Sequence, residues 1–285
     1  MPQKDIKILF LASVPQHAAS SHLVIIEDKD RKPYRECVAV PPDCGLSYPS
    51  DFSDPNIPDG SIALHPVLGD VYYQSNWRFS TKQFIADIKA ADENPAIKAH
   101  LIYVDSCGGE AFGCHEAFLA VKELTKPVYA FIESIAASAG YYLAAAADKI
   151  FASSIFTEAG CIGVMCTYYD WSEYLKKEGI EEHTYISNYS PLKNKVTTDA
   201  LEGNGDEYVR RFLDPMALQF IEDIKSTREG VSEDAQKGEI YYSPEAQTAA
   251  LIDGQFTLEE VLEMLRKEAD KTESSPSVDI NSLNL

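Results

Sequence analysis

Glu133-Ser134-Ile135-Ala136-Ala137-Ser138-Ala139-Gly140-Tyr141-Tyr142 reads as the end of a strand that turns sharply into an alanine-rich helix, with a hydroxyl at the junction. A serine hydroxyl at such a junction is expected to be presented, not buried. Upstream, Val104-Asp105-Ser106-Cys107-Gly108-Gly109 is a second strand, and it runs into paired glycines whose backbone N–H groups can approach a ligand closely. A serine in an Ala/Ser/Gly-rich turn is most often a cap or a space-saver. Taken with the glycine pair, Ser138 becomes a candidate nucleophile and Gly109 a candidate oxyanion donor.

The surrounding pattern sets both segments in an α/β fold. Residues 61–67 read as a strand, and residues 80–91 as a helix with Phe84, Ile85, Ile88 and Ala91 on its apolar face and Ser80 or Thr81 as its cap. Strand 100–104 and helix 111–124 follow, Pro127 ends that unit, and strand 128–132 opens the next. Helix 141–147 and strands 149–152 and 160–165 complete the alternation. Alternating strands and helices imply right-handed crossovers on a largely parallel sheet. Ligands of such sheets bind at the carboxyl ends of the strands, where Gly108, Gly109 and Ser138 fall.

On either side the pattern changes. Residues 1–59 read as an irregular N-terminal arm, with a charged turn at Lys29-Asp30-Arg31-Lys32-Pro33 and a stretch rich in Pro, Asp and Ser from 41 to 58. Residues 60–270 form the folded domain, and residues 271–285 a polar tail expected to be disordered. After Trp171 the domain becomes helical: an amphipathic helix at 171–177, a long one at 200–227 that Pro215 kinks or divides, and short ones at 244–250 and 258–267.

Composition narrows the partners. Among 285 residues, 45 are acidic and 25 basic, and the resulting net charge of −20 argues against nucleic acid or an anionic membrane surface. The longest apolar run near the start, Ile8-Leu9-Phe10-Leu11-Ala12, is far shorter than the roughly 20 residues of a membrane span, so a cytoplasmic protein is expected. The six cysteines show no CxxC pair. Cys107, Cys114 and His115 lie close in sequence, but reduced buried thiols are the simpler reading, and neither metal nor organic cofactor is expected.

The order of a Ser-x-Gly-Gly turn (Ser106 to Gly109), Lys126-Pro127-Val128, Ala136-Ala137-Ser138-Ala139-Gly140-Tyr141, Ala147-Asp148-Lys149-Ile150 and Gly160-Cys161-Ile162-Gly163-Val164 resembles the signal peptide peptidase A family. These are serine peptidases of the ClpP/crotonase fold, built from repeated β-β-α units with a helical C-terminal part. The likeness runs from about Gly60 to Leu262 and takes in Gly238-Glu239-Ile240-Tyr241 and Ala250-Leu251-Ile252-Asp253.

The resemblance implies acyl transfer by Ser138 with a lysine as general base, which serves only when burial strips water from its charged form. Where ClpP itself carries a histidine after the serine, this chain has Ala159-Gly160-Cys161-Ile162-Gly163. His183 stands in a charged loop and is the weaker candidate. Two lysines remain open in Ser190-Pro191-Leu192-Lys193-Asn194-Lys195: Lys193, favoured by its similarity to phage-type members, and Lys195. The oxyanion donors are then the N–H groups of Gly109 and Ala139. Ala139 stands where the family usually has glycine and Cys107 where it has proline, and neither change removes a required N–H.

The same resemblance implies a homo-oligomeric ring acting on protein or peptide substrates. The phage-type members process capsid or scaffold proteins during head maturation, in the host cytoplasm or procapsid. A cellular peptide-degrading member, a catalytically inactive assembly protein and a crotonase-type acyl-CoA enzyme are the competing readings.

Overall fold

The computed structural model describes residues 8–11, 37–41 and 51–274. Three early strands, β1 (Ile8–Leu11), β2 (Val38–Val40) and β3 (Ser61–Val71), precede helix α1 (Thr81–Glu93). The alternation continues with β4 (Ile97–Glu110), α2 (Cys114–Lys122), β5 (Val128–Ala137), α3 (Ala139–Ala144), β6 (Lys149–Ala152), β7 (Glu158–Gly160) and β8 (Met165–Cys166). Helices α4 (Ser172–Lys177), α5 (Lys195–Leu201), α6 (Asp206–Tyr208) and α7 (Asp214–Thr227) come next. Strand β9 (Ile240–Tyr242), α8 (Ser243–Thr248), β10 (Gly254–Gln255) and α9 (Leu258–Ser274) close the described chain.

The sheet is largely parallel, as the alternation implied: β3, β4, β5, β6 and β10 pair in parallel, with β2 antiparallel on the β3 edge. The β-β-α units take the form of long strands that bend. Strand β5 pairs with β6 through residues 129–132 and then with β7 through residues 135–137. The β3–β4 register shifts between Leu68 and Asp70, and the β4–β5 register between Val104 and Ser106. All three strands therefore bend at one level, just short of the glycine pair and Ser138.

The two-residue period of the strands sorts the core onto two faces. From β4, Ile102 and Val104 pack with α1, α2, α3 and α7 through Phe84, Phe118, Tyr142 and Phe220. Leu101 and Tyr103 point the other way and meet Val261, Leu265 and Ala269 of α9. Helix α1 begins where its cap was read, with Ser80 Oγ accepting the Gln83 N–H at 3.3 Å.

Several sequence expectations differ in detail. Within the stretch read as an arm, Val38–Val40 is a strand, because the edge of β3 needs a partner and three small apolar residues supply one. Val38 and Val40 join the α9 face, while Ala39, Phe52 and Ile57 join a third cluster beneath Ala91 and Ile97. The single strand read at 160–165 is two, β7 and β8. The helix read at 200–227 is divided: Gly203 takes φ 92°, and a π-helical turn, Val209–Leu213, precedes Pro215 in the first turn of α7. Proline has no N–H for the preceding turn, and the widened turn absorbs that loss. Helix α4 buries none of its residues, so its apolar face is left open. Residues 271–274 of the polar tail continue α9, and the rest of the tail lies outside the described residues.

Candidate active site

Strand β5 delivers Ser138 through a stretch of small residues, Ala136 to Gly140, that lets the turn pack tightly. Ser138 has φ 53° and ψ −121°, a conformation L-residues rarely adopt and one that costs about 1–3 kcal/mol. The turn is held by two backbone hydrogen bonds: the Ser138 N–H donates to the Gly160 carbonyl, and the Tyr142 N–H donates to the Ser138 carbonyl, both at 2.9 Å. Gly140 is required by space, since a Cβ there would lie 2.7 Å from the Ser106 carbonyl oxygen. Contrary to the presented hydroxyl expected of the junction, the Ser138 hydroxyl is fully buried by the tight packing of the turn, and it has no hydrogen-bond partner among the described residues. An orphaned buried hydroxyl costs about 1–3 kcal/mol, so turn and hydroxyl together form an expensive arrangement that packing must sustain.

Ser106 pairs with Ala136 at the last register of β4 with β5, which carries the glycine turn and Ser138 past the same edge of the sheet. Gly108 has φ 106°, and a Cβ on Gly109 would meet the Val71 carbonyl oxygen at 2.0 Å, so both positions accept only glycine. The Ser106 hydroxyl pegs the turn: it donates to the Gly69 carbonyl at 2.6 Å and accepts the Gly108 N–H at 3.1 Å. That positioning role was not drawn from the sequence, although the serine two residues before the glycines was its signal.

The structure brings Ser138, Ala139 and Gly109 to one edge, and it leaves the lysines away from the hydroxyl. Lys193 is exposed in a turn closed by its own N–H donating to the Ser190 carbonyl at 3.0 Å, and no described residue pairs with its ammonium. Lys195 Nζ sits 2.7 Å from Asp199 Oδ2, and that hydrogen bond, then the carboxylate's charge, raises its pKa and keeps it protonated. His183 is exposed and lies 3.5 Å from Glu181. Around Lys193 the chain displays Tyr185, Tyr189 and Leu192 at 92%, 97% and 77% exposure.

Burial raises the Cys107 thiol pKa, and the carboxylates of Asp105, Asp70 and Glu158 raise it further. The mouth of the site is thus an acidic field. Cys114 is buried, its Sγ donating to the Glu110 carbonyl at 3.2 Å, and burial pushes its thiol up. Helix α3 has six residues, so a dipole contribution at Ser138 is small beside the fixed N–H groups.

Behind α3 lies a hub that sequence reasoning missed. Asp223 of α7 accepts the Tyr142 hydroxyl, stands 2.7 Å from His115 Nδ1, and accepts Gln219 Nε2 at 2.9 Å. Tyr142 also stacks on Phe220, with ring centroids 4.1 Å apart. Its three carriers lie 108 residues apart at the extremes, a separation no local pattern reveals.

The model of peptidase family S49 matches residues 120–272, a span that holds Ser138, Lys193 and Lys195 and leaves Gly109 upstream. An Enterococcus faecium protein named for the signal peptide peptidase SppA is 29% identical over 223 residues, covering 70% of this chain and 60% of that protein. Capsid assembly protease C of Escherichia phage lambda is 30% identical over 122 residues, covering 42% of this chain and 26% of that protein. The chain therefore spans less than two thirds of the length of either relative. A solved ClpP1 variant from Listeria monocytogenes superposes with a TM-score of 0.45 at 13% identity, covering 70% of this chain and 94% of that one. No helix among the described residues is long and apolar enough to cross a membrane.

Proposed function

Because the chain belongs to peptidase family S49, we propose that it is a serine endopeptidase in which Ser138 attacks the scissile carbonyl and the Gly109 and Ala139 N–H groups receive the developing oxyanion. The observation that carries this reading is the buried, unpartnered Ser138 hydroxyl on a strained turn beside the glycine pair. A structural serine would cap the helix or bond a neighbour. Among the described residues this one does neither, which supports a chemical role for its hydroxyl.

Lys193 is the general base in this proposal, with Lys195 as the alternative. Its segment has to fold onto the site, because a lysine takes the serine proton only in its neutral form and must leave water to reach it. Desolvation has to outweigh the field of Asp70, Asp105 and Glu158, which favours an ammonium. The bare Tyr185, Tyr189 and Leu192 supply the drive: burying them against a second copy of the chain would order the segment, in keeping with a homo-oligomeric ring.

Processing of capsid or scaffold proteins is the proposed biological role, supported by the likeness to the phage lambda capsid protease. Turnover of free peptides is the second reading, favoured by the longer alignment with the Enterococcus protein. A fluorophosphonate probe tests the chemistry common to both. The wild-type protein should be labelled, and Ser138→Ala and Lys193→Ala should not. Labelling of Ser138→Ala would remove the nucleophile assignment, full labelling of Lys193→Ala would move the base to Lys195, and absence of labelling in the folded wild type would favour an inactive assembly protein or an acyl-CoA enzyme.

A further inference from the structure

Strand β4 loses β5 as its neighbour after the pair Ser106 and Ala136, where β5 turns away to form the Ser138 elbow. The vacated edge of β4 is filled by β1. Its register runs antiparallel, with Leu9 opposite Glu110, Phe10 opposite Gly109 and Leu11 opposite Gly108. The other edge of β1 is covered by β8, again antiparallel, with Ile8 opposite Cys166 and Leu9 opposite Met165. An extended segment held by backbone pairing on both sides, across the glycine turn beside Ser138, occupies the position that a peptide substrate would take by strand addition.

We propose that Ile8–Leu11 is a tethered occupant of the peptide groove, which holds the site closed until the strand is displaced. This rests on the peptidase reading of Ser138. The register is the main support: Phe10 stands opposite Gly109, so the peptide bonds flanking Phe10 lie beside the proposed oxyanion donor. The composition fits an occupant drawn out of water, since Ile8-Leu9-Phe10-Leu11 is an unbroken apolar run in a chain of net charge −20. The tether fits as well. Because β1 belongs to the same chain as the groove it fills, its pairing is intramolecular, with an effective concentration on the order of millimolar. A free peptide has to exceed that concentration to compete, or the strand has to be removed.

Adjacent N–H groups of a strand point to opposite sides, so replacing Leu9 and Phe10 together by proline removes a bond to each wall of the groove. The full chain carrying Leu9→Pro and Phe10→Pro is compared with the wild type in two measurements, after circular dichroism confirms that both are folded. The first is the rate of fluorophosphonate labelling. The second is binding of a fluorescent peptide copied from residues 6–13, read by anisotropy in the Ser138→Ala background, where no chemistry intervenes.

The expected result is labelling faster by about tenfold or more in the proline variant, and peptide binding to that variant at concentrations that leave the single Ser138→Ala protein unbound. Equal labelling rates with equal peptide binding would overturn the proposal while leaving the peptidase intact. Peptide binding to the proline variant alone, with neither protein labelled, would keep the tethered strand and remove the peptidase. Should the double variant not fold, Leu9→Pro alone serves, with the same outcomes.

Discussion

Ser106 and Gly140 pack so closely that a single added methyl on the glycine would lie 2.7 Å from the Ser106 carbonyl oxygen. The contact joins the strand that carries the proposed oxyanion turn to the helix that follows the proposed nucleophile. It fixes Ser138 and Ala139 relative to Gly109 through backbone alone, with no long side chain to absorb a displacement. Gly140→Ala must therefore push α3 away from β4. Misplacement of about 1 Å can cost a reaction on the order of 100-fold, and a loss of that size is expected in the fluorophosphonate labelling rate. Gly163→Ala is the matched control, because a Cβ there meets nothing nearer than the Gly238 Cα at 3.8 Å. Labelling of the two variants at the same rate would show that the contact does not set the geometry.

Ser138 carries two costs, a φ of 53° and a buried hydroxyl with no partner among the described residues, and both are removable. Ser138→Ala deletes the orphaned hydroxyl, and Ser138→Gly relaxes the backbone as well. Ser138→Ala is expected to gain about 1 kcal/mol and Ser138→Gly about 1–3 kcal/mol. For a domain of this size each kcal/mol raises Tm by roughly 2–4 °C, readable by thermal denaturation. A fall in Tm for both variants would mean that the serine is structurally supported.

How far the sequence discloses this site depends on the range of the interactions involved. The strand and helix alternation and the junctions at Gly109 and Ser138 are local, and period and glycine placement disclose them. The bend common to β3, β4 and β5 is a property of register between strands, which one strand does not display. Val38–Val40 escaped notice because a three-residue strand beside a Pro-rich stretch carries too little pattern, and its reason to exist lies in the exposed edge of β3. Lys193 and Lys195 are the clearest limit. Sequence spacing leaves both open as the proposed base, and the difference in their surroundings, the ion pair of Lys195 with Asp199, arises only once α5 has formed.

A buried relay makes the fold sensitive to acid. His65 Nε2 lies 3.1 Å from His100 Nδ1, and His100 Nε2 lies 3.2 Å from Asp92 Oδ1. Burial holds His65 well below the usual histidine range, with the neighbouring His100 adding to the shift, and burial lowers His100 against the pull of Asp92. A histidine whose pKa is lower folded than unfolded binds more protons in the unfolded chain, so stability falls as pH drops below about 6.5. Burial raises the Asp92 carboxyl, but hydrogen bonds from His100 and Thr125 outweigh it and hold it well below its ordinary value. Its contribution is present above about 3.9 and is lost below that. Tm measured from pH 8 to pH 4 should fall first as the histidines are drawn toward protonation. A Tm that does not change between pH 7 and pH 5 would count against the buried neutral pair.

Asp223 connects α7, which follows the segment bearing Lys193, to α3, which follows the proposed nucleophile Ser138. Removing its carboxylate by Asp223→Ala leaves the Tyr142 hydroxyl and His115 without their shared acceptor, and loss of a buried hydrogen-bonded carboxylate costs on the order of 3 kcal/mol. Tyr142→Phe removes a single donor and keeps the stack on Phe220, so its cost should be smaller, about 1 kcal/mol. Once Asp223 is gone, the tyrosine hydroxyl has less to lose. The double variant should therefore be more stable than the sum of the two losses implies, by roughly 0.5–3 kcal/mol in a denaturant-unfolding cycle. The labelling rate should follow the same order, falling most in Asp223→Ala, because Tyr142 lies one helical turn from Ser138 and a loosened α3 no longer holds the elbow against Ser106. Additive stability losses with an unchanged labelling rate would reduce the hub to an ordinary surface-edge ion pair, with no part in positioning the serine.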